Sequence, residues 1–120
     1  MINGGNAFIS LIHVDDAVRA IVAAINNYET CVGKTIHVVD DKPVQWKELL
    51  GYAKNLSGNE FRDIKINGIP TEGASGLNFL LNSVRVENGL VKRILNWQPN
   101  YSTYREGLNY EYQRFSENFK

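Results

Sequence analysis

The sequence predicts a small α/β fold: a strand-helix-strand-helix unit, then a short strand and two carboxy-terminal helices. Three observations predict it. Two apolar, β-branched runs, Phe8 to Val14 and Lys34 to Val39, read as buried strands. Each is followed by a stretch with apolar residues at helical spacing. Alternation of that kind suggests parallel strand pairing.

Each element has its own local reason. Met1 to Asn6 is polar, contains glycine and reads as a loop. Asp15 and Asp16 end the first strand; Asp15 suits an N-cap, and both charges suit the positive end of a helix. Val18, Ile21, Val22 and Ile25 fall at helical spacing in the stretch that follows. Four alanines keep the helix thin, and Asn26-Asn27 ends it. After the second strand, Asp40, Asp41 and Pro43 make a turn, because proline fixes φ and lacks an N–H.

The second helix is predicted from Trp46 to Leu56, with Trp46, Leu49, Leu50, Ala53 and Leu56 on one face. Gln45 with Glu48 makes a weakened capping box, and Ser57-Gly58-Asn59 closes the helix. Phe61 to Ile66 alternates as a short strand, Asn67 to Gly76 is a glycine-bearing loop, and Leu77 to Leu81 is an apolar patch. A third helix is predicted from Glu87 to Leu95, with Asn96 left-handed behind it and Trp97 packing back. Thr103-x-x-Glu106 is a capping box that opens a fourth helix. That helix carries Tyr104, Leu108, Tyr112, Phe115 and Phe119 on a stripe read mainly as core, with an interface face as the alternative for the tyrosines and Phe115.

Residues 1–120 suit one domain, and 43% hydrophobic with 22% charged residues is ordinary for a globular chain. Lys plus Arg equals Asp plus Glu, 13 each, so there is no basic field to hold a nucleic acid. Zero net charge also eases self-association. One cysteine, Cys31, cannot form an internal disulfide and has no second soft ligand near it in sequence. Apolar runs are too short for a membrane span, and no signal-peptide pattern opens the chain, so a cytoplasmic location is expected.

Three blocks carry a family likeness. They are LIHVDDAVRAIVAAI from Leu11 to Ile25, GKTIHVVDDKPVQWKELLGYAKNLSG from Gly33 to Gly58, and RVENGLVKRILNWQPNYSTYREGL from Arg85 to Leu108. In order and spacing they resemble the carboxy-terminal, substrate-binding part of extended short-chain dehydrogenases, the NAD-dependent epimerase/dehydratase type. Asn96 stands where that pattern has glycine, and Gln45 where it has a Ser or Thr cap. The resemblance implies a substrate-side module without its Rossmann core.

The family binds NAD(P) on a Gly-rich turn between a strand and a helix. No such motif occurs here, since Gly4-Gly5 precedes a strand. The family's Tyr-x-x-x-Lys pair is also missing; Tyr101 has Arg105 four positions on. The sequence therefore predicts no catalysis by this chain alone and no bound cofactor, with NAD(P) entering only if an amino-terminal Rossmann partner is supplied.

His13 and Asp16 fall at a strand-helix junction and read as packing and capping groups. His37 reads as a core or interface imidazole, without the spacing for a metal trio with His13 and Cys31. Arg85 is the candidate substrate-binding residue. The resemblance puts its segment beside the substrate cleft, and a guanidinium suits phosphate or carboxylate. The other reading is a surface or helix-capping arginine. The apolar strand Lys34 to Val39 would need cover on both faces, which a homodimer could supply.

Overall fold

The structure, a computed structural model, describes residues 3–60 and 81–118. The strand expected at Phe61 to Ile66, the loop to Gly76, the patch from Leu77 to Leu80 and the stripe residue Phe119 lie outside those residues. The architecture is α/β. A 3-10 turn at Asn3–Gly5 leads into β1 (Phe8–Ile9), α1 (Val14–Asn26) and a single helical turn, α2 (Tyr28–Cys31). Then come β2 (Val44–Gln45), α3 (Trp46–Ser57), α4 (Gly89–Leu95) and α5 (Tyr104–Asn118).

The sheet departs from the parallel pairing expected. β1 and β2 are antiparallel, with Phe8 opposite Gln45 and Ile9 opposite Val44. The Asp40 N–H also donates to the Leu11 carbonyl at 2.6 Å, and the Trp46 N–H to Ala7 at 3.1 Å. The chain from Asp40 to Trp46 thus returns along Ala7 to Leu11. The Asp41-Lys42-Pro43 turn interrupts that return, and proline has no N–H to donate there. Regular pairing shrinks to two residues on each side.

The strand expected over Lys34 to Val39 is corrected in the same way: this stretch is extended but forms no regular ladder among the described residues. Its alternation survives, since Ile36 and Val38 pack toward the helices while His37 is exposed. On the other side of β1, Val84 to Val86 runs alongside Phe8 to Ser10. The Val84 N–H donates to the Phe8 carbonyl at 3.0 Å. The Val86 N–H donates to Ser10 Oγ at 2.9 Å, a hydroxyl replacing a carbonyl in the pairing.

The core lies between α1 and α4. Ala20, Val91, Leu95 and Trp97 are buried together, with Ile12, Ala23, Ile36, Val38 and Ile94 packed against them. Small alanines on α1 let α4 approach closely. Asn96 takes the left-handed conformation (φ 47°, ψ 44°) just past α4, as its sequence position predicts, and Trp97 turns back into the core. Gly58 does the same after α3 at φ 73°.

α1 presents the opposite face to the one its apolar stripe suggests. Val18, Ile21, Val22 and Ile25 are exposed, and the inward side is Asp16, Ala20, Ala23 and Ala24. Its N-cap is His13 and not Asp15: His13 Nδ1 accepts the Asp15 N–H at 3.1 Å. α5 is corrected similarly. Tyr104 is buried, but Tyr112 and Phe115 on the expected core stripe are exposed. Its capping box forms, with the Thr103 N–H donating to Glu106 Oε2 at 3.1 Å and the Thr103 hydroxyl bonded to the same oxygen.

Candidate functional site

The strand-helix junction at Leu11 to Asp16 meets the start of α5 and one side of α3, and a cleft of about 390 Å3 opens there. Leu11, Leu49, Tyr101, Tyr104 and Leu108 give it apolar and aromatic walls. His13 stacks on Tyr101 with ring centroids 3.9 Å apart. Gly107 leaves room for that imidazole, since a Cβ there would lie 3.3 Å from His13 Cδ2.

The hydrogen bonds of His13 define its role. Nδ1 accepts the Asp15 N–H, so the proton of the neutral ring sits on Nε2, which donates to Glu111 Oε1 at 2.9 Å. Neither nitrogen is left for a substrate. Asp16, fully buried, is equally occupied. Its carboxylate accepts Arg19 Nη1 at 2.7 Å and the N–H groups of Asn100 and Tyr101, each at 2.9 Å. The Trp97 indole N–H donates to the Asp16 carbonyl at 3.2 Å. These bonds tie α1 to the segment after α4; both residues hold the fold together, as their position at the junction implies.

Two acidic groups of this cleft had no signal in the sequence beyond a turn and a helix face. Asp40, one of the turn aspartates, is buried at the cleft wall and accepts the Lys42 N–H at 2.9 Å. Burial raises its pKa from the usual 3.8 to about 6; the Lys42 N–H opposes this, and the charge of Asp41 adds to it. Glu111 arrives from α5, 98 residues beyond His13. Nearby, Glu48 accepts Lys42 Nζ at 3.0 Å and the Tyr104 hydroxyl at 2.9 Å, which holds its carboxyl below the usual range.

A second cleft, of about 400 Å3, lies on the strand side, where Phe8, Ile36, Val38, Trp46, Val84 and Val86 form an apolar floor. Arg85 is exposed beside it. Its guanidinium stands 4.0 Å from the centre of the Phe8 ring. An arginine held over an aromatic ring is partly oriented by it. His37 lines the same cleft. Among the described residues, no three His, Cys, Asp or Glu side chains gather as metal ligands, so His13, His37 and Cys31 are not brought together. No helix among the described residues is long and apolar enough to cross a membrane.

No protein-family model matches the chain. Over 112 residues it is 33% identical to a 3-diazoavenalumate denitrifying reductase from a Streptomyces species. The chain has an oxidoreductase-type relative. That match covers 90% of this chain but 35% of the reductase, so the chain spans about a third of its relative's length. A solved structure of a functionally unknown conserved protein from Silicibacter pomeroyi DSS shares the fold, with a TM-score of 0.75 at 24% identity. It too is longer: 91% of this chain aligns with 39% of that one.

Proposed function

We propose that the chain is a ligand-binding module of a reductase-type protein, similar to the substrate side of extended NAD-dependent epimerases and dehydratases. It holds a small organic acid with an apolar body in the strand-side cleft. The observation that carries this reading is Arg85, whose guanidinium lies over the ring of Phe8, a residue that lines the apolar cleft. The floor takes the apolar body, and the guanidinium takes the carboxylate through paired N–H bonds. The chain binds and orients its ligand and leaves electron transfer to a coenzyme held elsewhere. A reducing, cytoplasmic setting suits its one free thiol, Cys31.

A thermal-shift and calorimetric screen of aromatic carboxylates against their neutral amides tests the proposal. The acids bind and the amides bind more weakly. Arg85→Ala weakens acid binding about tenfold, and Arg85→Lys recovers little of it, because an ammonium neither stacks nor forks. Unchanged affinity in Arg85→Ala, or equal binding of acids and amides, would refute the assignment.

The 35% coverage of the reductase favours a second reading, in which a Rossmann-type polypeptide completes this chain into an active enzyme. NAD(P)H turnover appearing only when both are mixed supports that reading; turnover by the partner alone removes it.

A further inference from the structure

The cleft beside His13 holds a carboxylate that the acid-binding role does not use. Asp40 is 4% exposed and lines that cleft. Its Oδ1 accepts the Lys42 N–H at 2.9 Å. Its Oδ2 has no hydrogen-bond partner among the described residues. No fully buried side-chain oxygen or nitrogen among them is left unbonded, so Oδ2 opens onto the cleft. Three polar neighbours in the lining donate elsewhere: His13 Nε2 to Glu111, the Tyr104 hydroxyl to Glu48, and the Thr103 hydroxyl to Glu106. A carboxylate this buried and short of a donor is stabilised by whatever brings one. The lining comes from separated stretches of one chain, Leu11 to Val14, Asp40, Leu49 and Tyr101 to Glu111. The burial of Asp40 is therefore this chain's own and needs no further polypeptide.

Charge decides what kind of donor fits. Among the described residues, the lining contains Asp40 and Glu111 but no lysine or arginine. Asp41 on the same turn, Asp16 on α1 and Glu106 on α5 add negative potential at Asp40. The cations of this region are already paired: Lys42 and Arg105 with Glu48 on α3, and Lys92 with Asp41. A cationic donor is therefore favoured over a neutral one, and an anion is repelled. The volume of about 390 Å3 admits a body the size of one aromatic ring with a short chain.

We propose that this cleft binds a primary organic ammonium ion with a small apolar body, its N–H groups donating to Asp40 Oδ2 while the body lies against Leu11, Leu49 and Leu108. The site is separate from the cleft beside Arg85, takes the opposite charge and does not depend on what that cleft binds.

Phenethylamine, phenethyl alcohol and phenylacetate carry one body with a cationic, a neutral and an anionic head. Calorimetry of the full 120-residue chain with these three tests the proposal. At pH 7.5 the amine binds, and the alcohol binds about tenfold more weakly. Phenylacetate does not displace the amine, whether or not it binds beside Arg85. Asp40→Asn, which keeps an oxygen for the Lys42 N–H, weakens amine binding about tenfold. Glu60→Gln, at an exposed carboxylate paired with Lys54, leaves it unchanged. A readout that needs no variant is pH. Asp40, its pKa raised to about 6 by burial, is neutral at pH 4.5 while the amine stays cationic, so wild-type affinity falls about tenfold from pH 7.5. Equal affinity for amine and alcohol, displacement by phenylacetate, full affinity in Asp40→Asn or an affinity independent of pH overturns the proposal. So does an equal loss in Glu60→Gln, or a chain that binds no amine at millimolar concentration.

Discussion

Two buried carboxylates, Asp16 and Asp40, act in opposite senses on stability. Asp16 is surrounded by donors: one guanidinium and two backbone N–H groups. Asp16→Ala strands the two backbone N–H groups, leaves Arg19 with the Gln98 carbonyl alone and frees the segment after α4, so it should cost about 3 kcal/mol in urea unfolding. A loss under about 1 kcal/mol would show that the α1 junction does not depend on it. Asp40 has one backbone donor, and burial lifts its pKa to about 6. The folded state then holds this proton more tightly than the unfolded state between pH 3.8 and about 6. Stability from the protonated group is complete below the lower value and is lost as pH rises through the upper one. Asp40→Asn keeps an oxygen for the Lys42 N–H and removes the charge. It should stabilise the protein by about 1 to 2 kcal/mol at pH 7.5 and by much less at pH 4. Equal effects at the two values would contradict the raised pKa. Glu48 and Glu106, held below their usual range by the Lys42 and Thr103 hydrogen bonds, contribute in the opposite sense, losing stability as pH falls. The difference between variant and wild type isolates Asp40 from them.

Helices α3 and α5 each carry one glycine in their interior, and their surroundings give it different meanings. A Cβ at Gly51 in α3 would meet nothing within 4 Å. Gly51→Ala therefore gains only helix propensity, about 0.5 to 1 kcal/mol. A Cβ at Gly107 in α5 would press on His13 Cδ2 at 3.3 Å. That ring is stacked on Tyr101 and bonded to Glu111, and it has no free direction in which to yield. Gly107→Ala should therefore lose about 1 kcal/mol net despite the better helix former. Thermal melts of the two variants side by side check both signs; stabilisation by Gly107→Ala would mean that the imidazole is not held. The closing ends of α3 and α4 and the start of α5 were legible in sequence, whereas the expected Gln45–Glu48 box does not form: Gln45 makes no capping bond, and Glu48 turns to Lys42 and Tyr104. Gly58, Asn96 and the Thr103–Glu106 box act locally, through backbone groups a few residues away. The short strands were less so. The apolar run from Phe8 to Val14 marks an extended segment, but how far it pairs depends on the Asp41-to-Pro43 interruption in its neighbour.

At the scale of the whole molecule, the chain joins a compact helical core between α1 and α4 to an open strand side and an uncovered helix face. Its sequence has no Gly-rich strand-to-helix turn to seat a pyrophosphate. Millimolar NADH or NADPH should therefore leave the melting temperature of the isolated chain unchanged. A rise of several degrees would mean that a dinucleotide site has been assembled in another way. The relation to a reductase is compatible with this, because the shared region is 35% of that protein.

By itself the sequence determined the α/β class, the order of the longer helices, the closing residues Gly58 and Asn96, and the Thr103–Glu106 box. Each of these is decided by a residue and its near neighbours along the chain. Only the tertiary structure decided that β1 and β2 run antiparallel, that Asp16 and Asp40 are buried, and that Glu111 meets His13. It alone decided which face of α1 turns inward. A period of three and four residues shows that a helix has an apolar stripe seeking cover, and α4 instead took the alanine side, where the backbones can come closest. Which body covers the larger side chains is set by contacts between distant segments, or between molecules, and periodicity along one chain does not encode them.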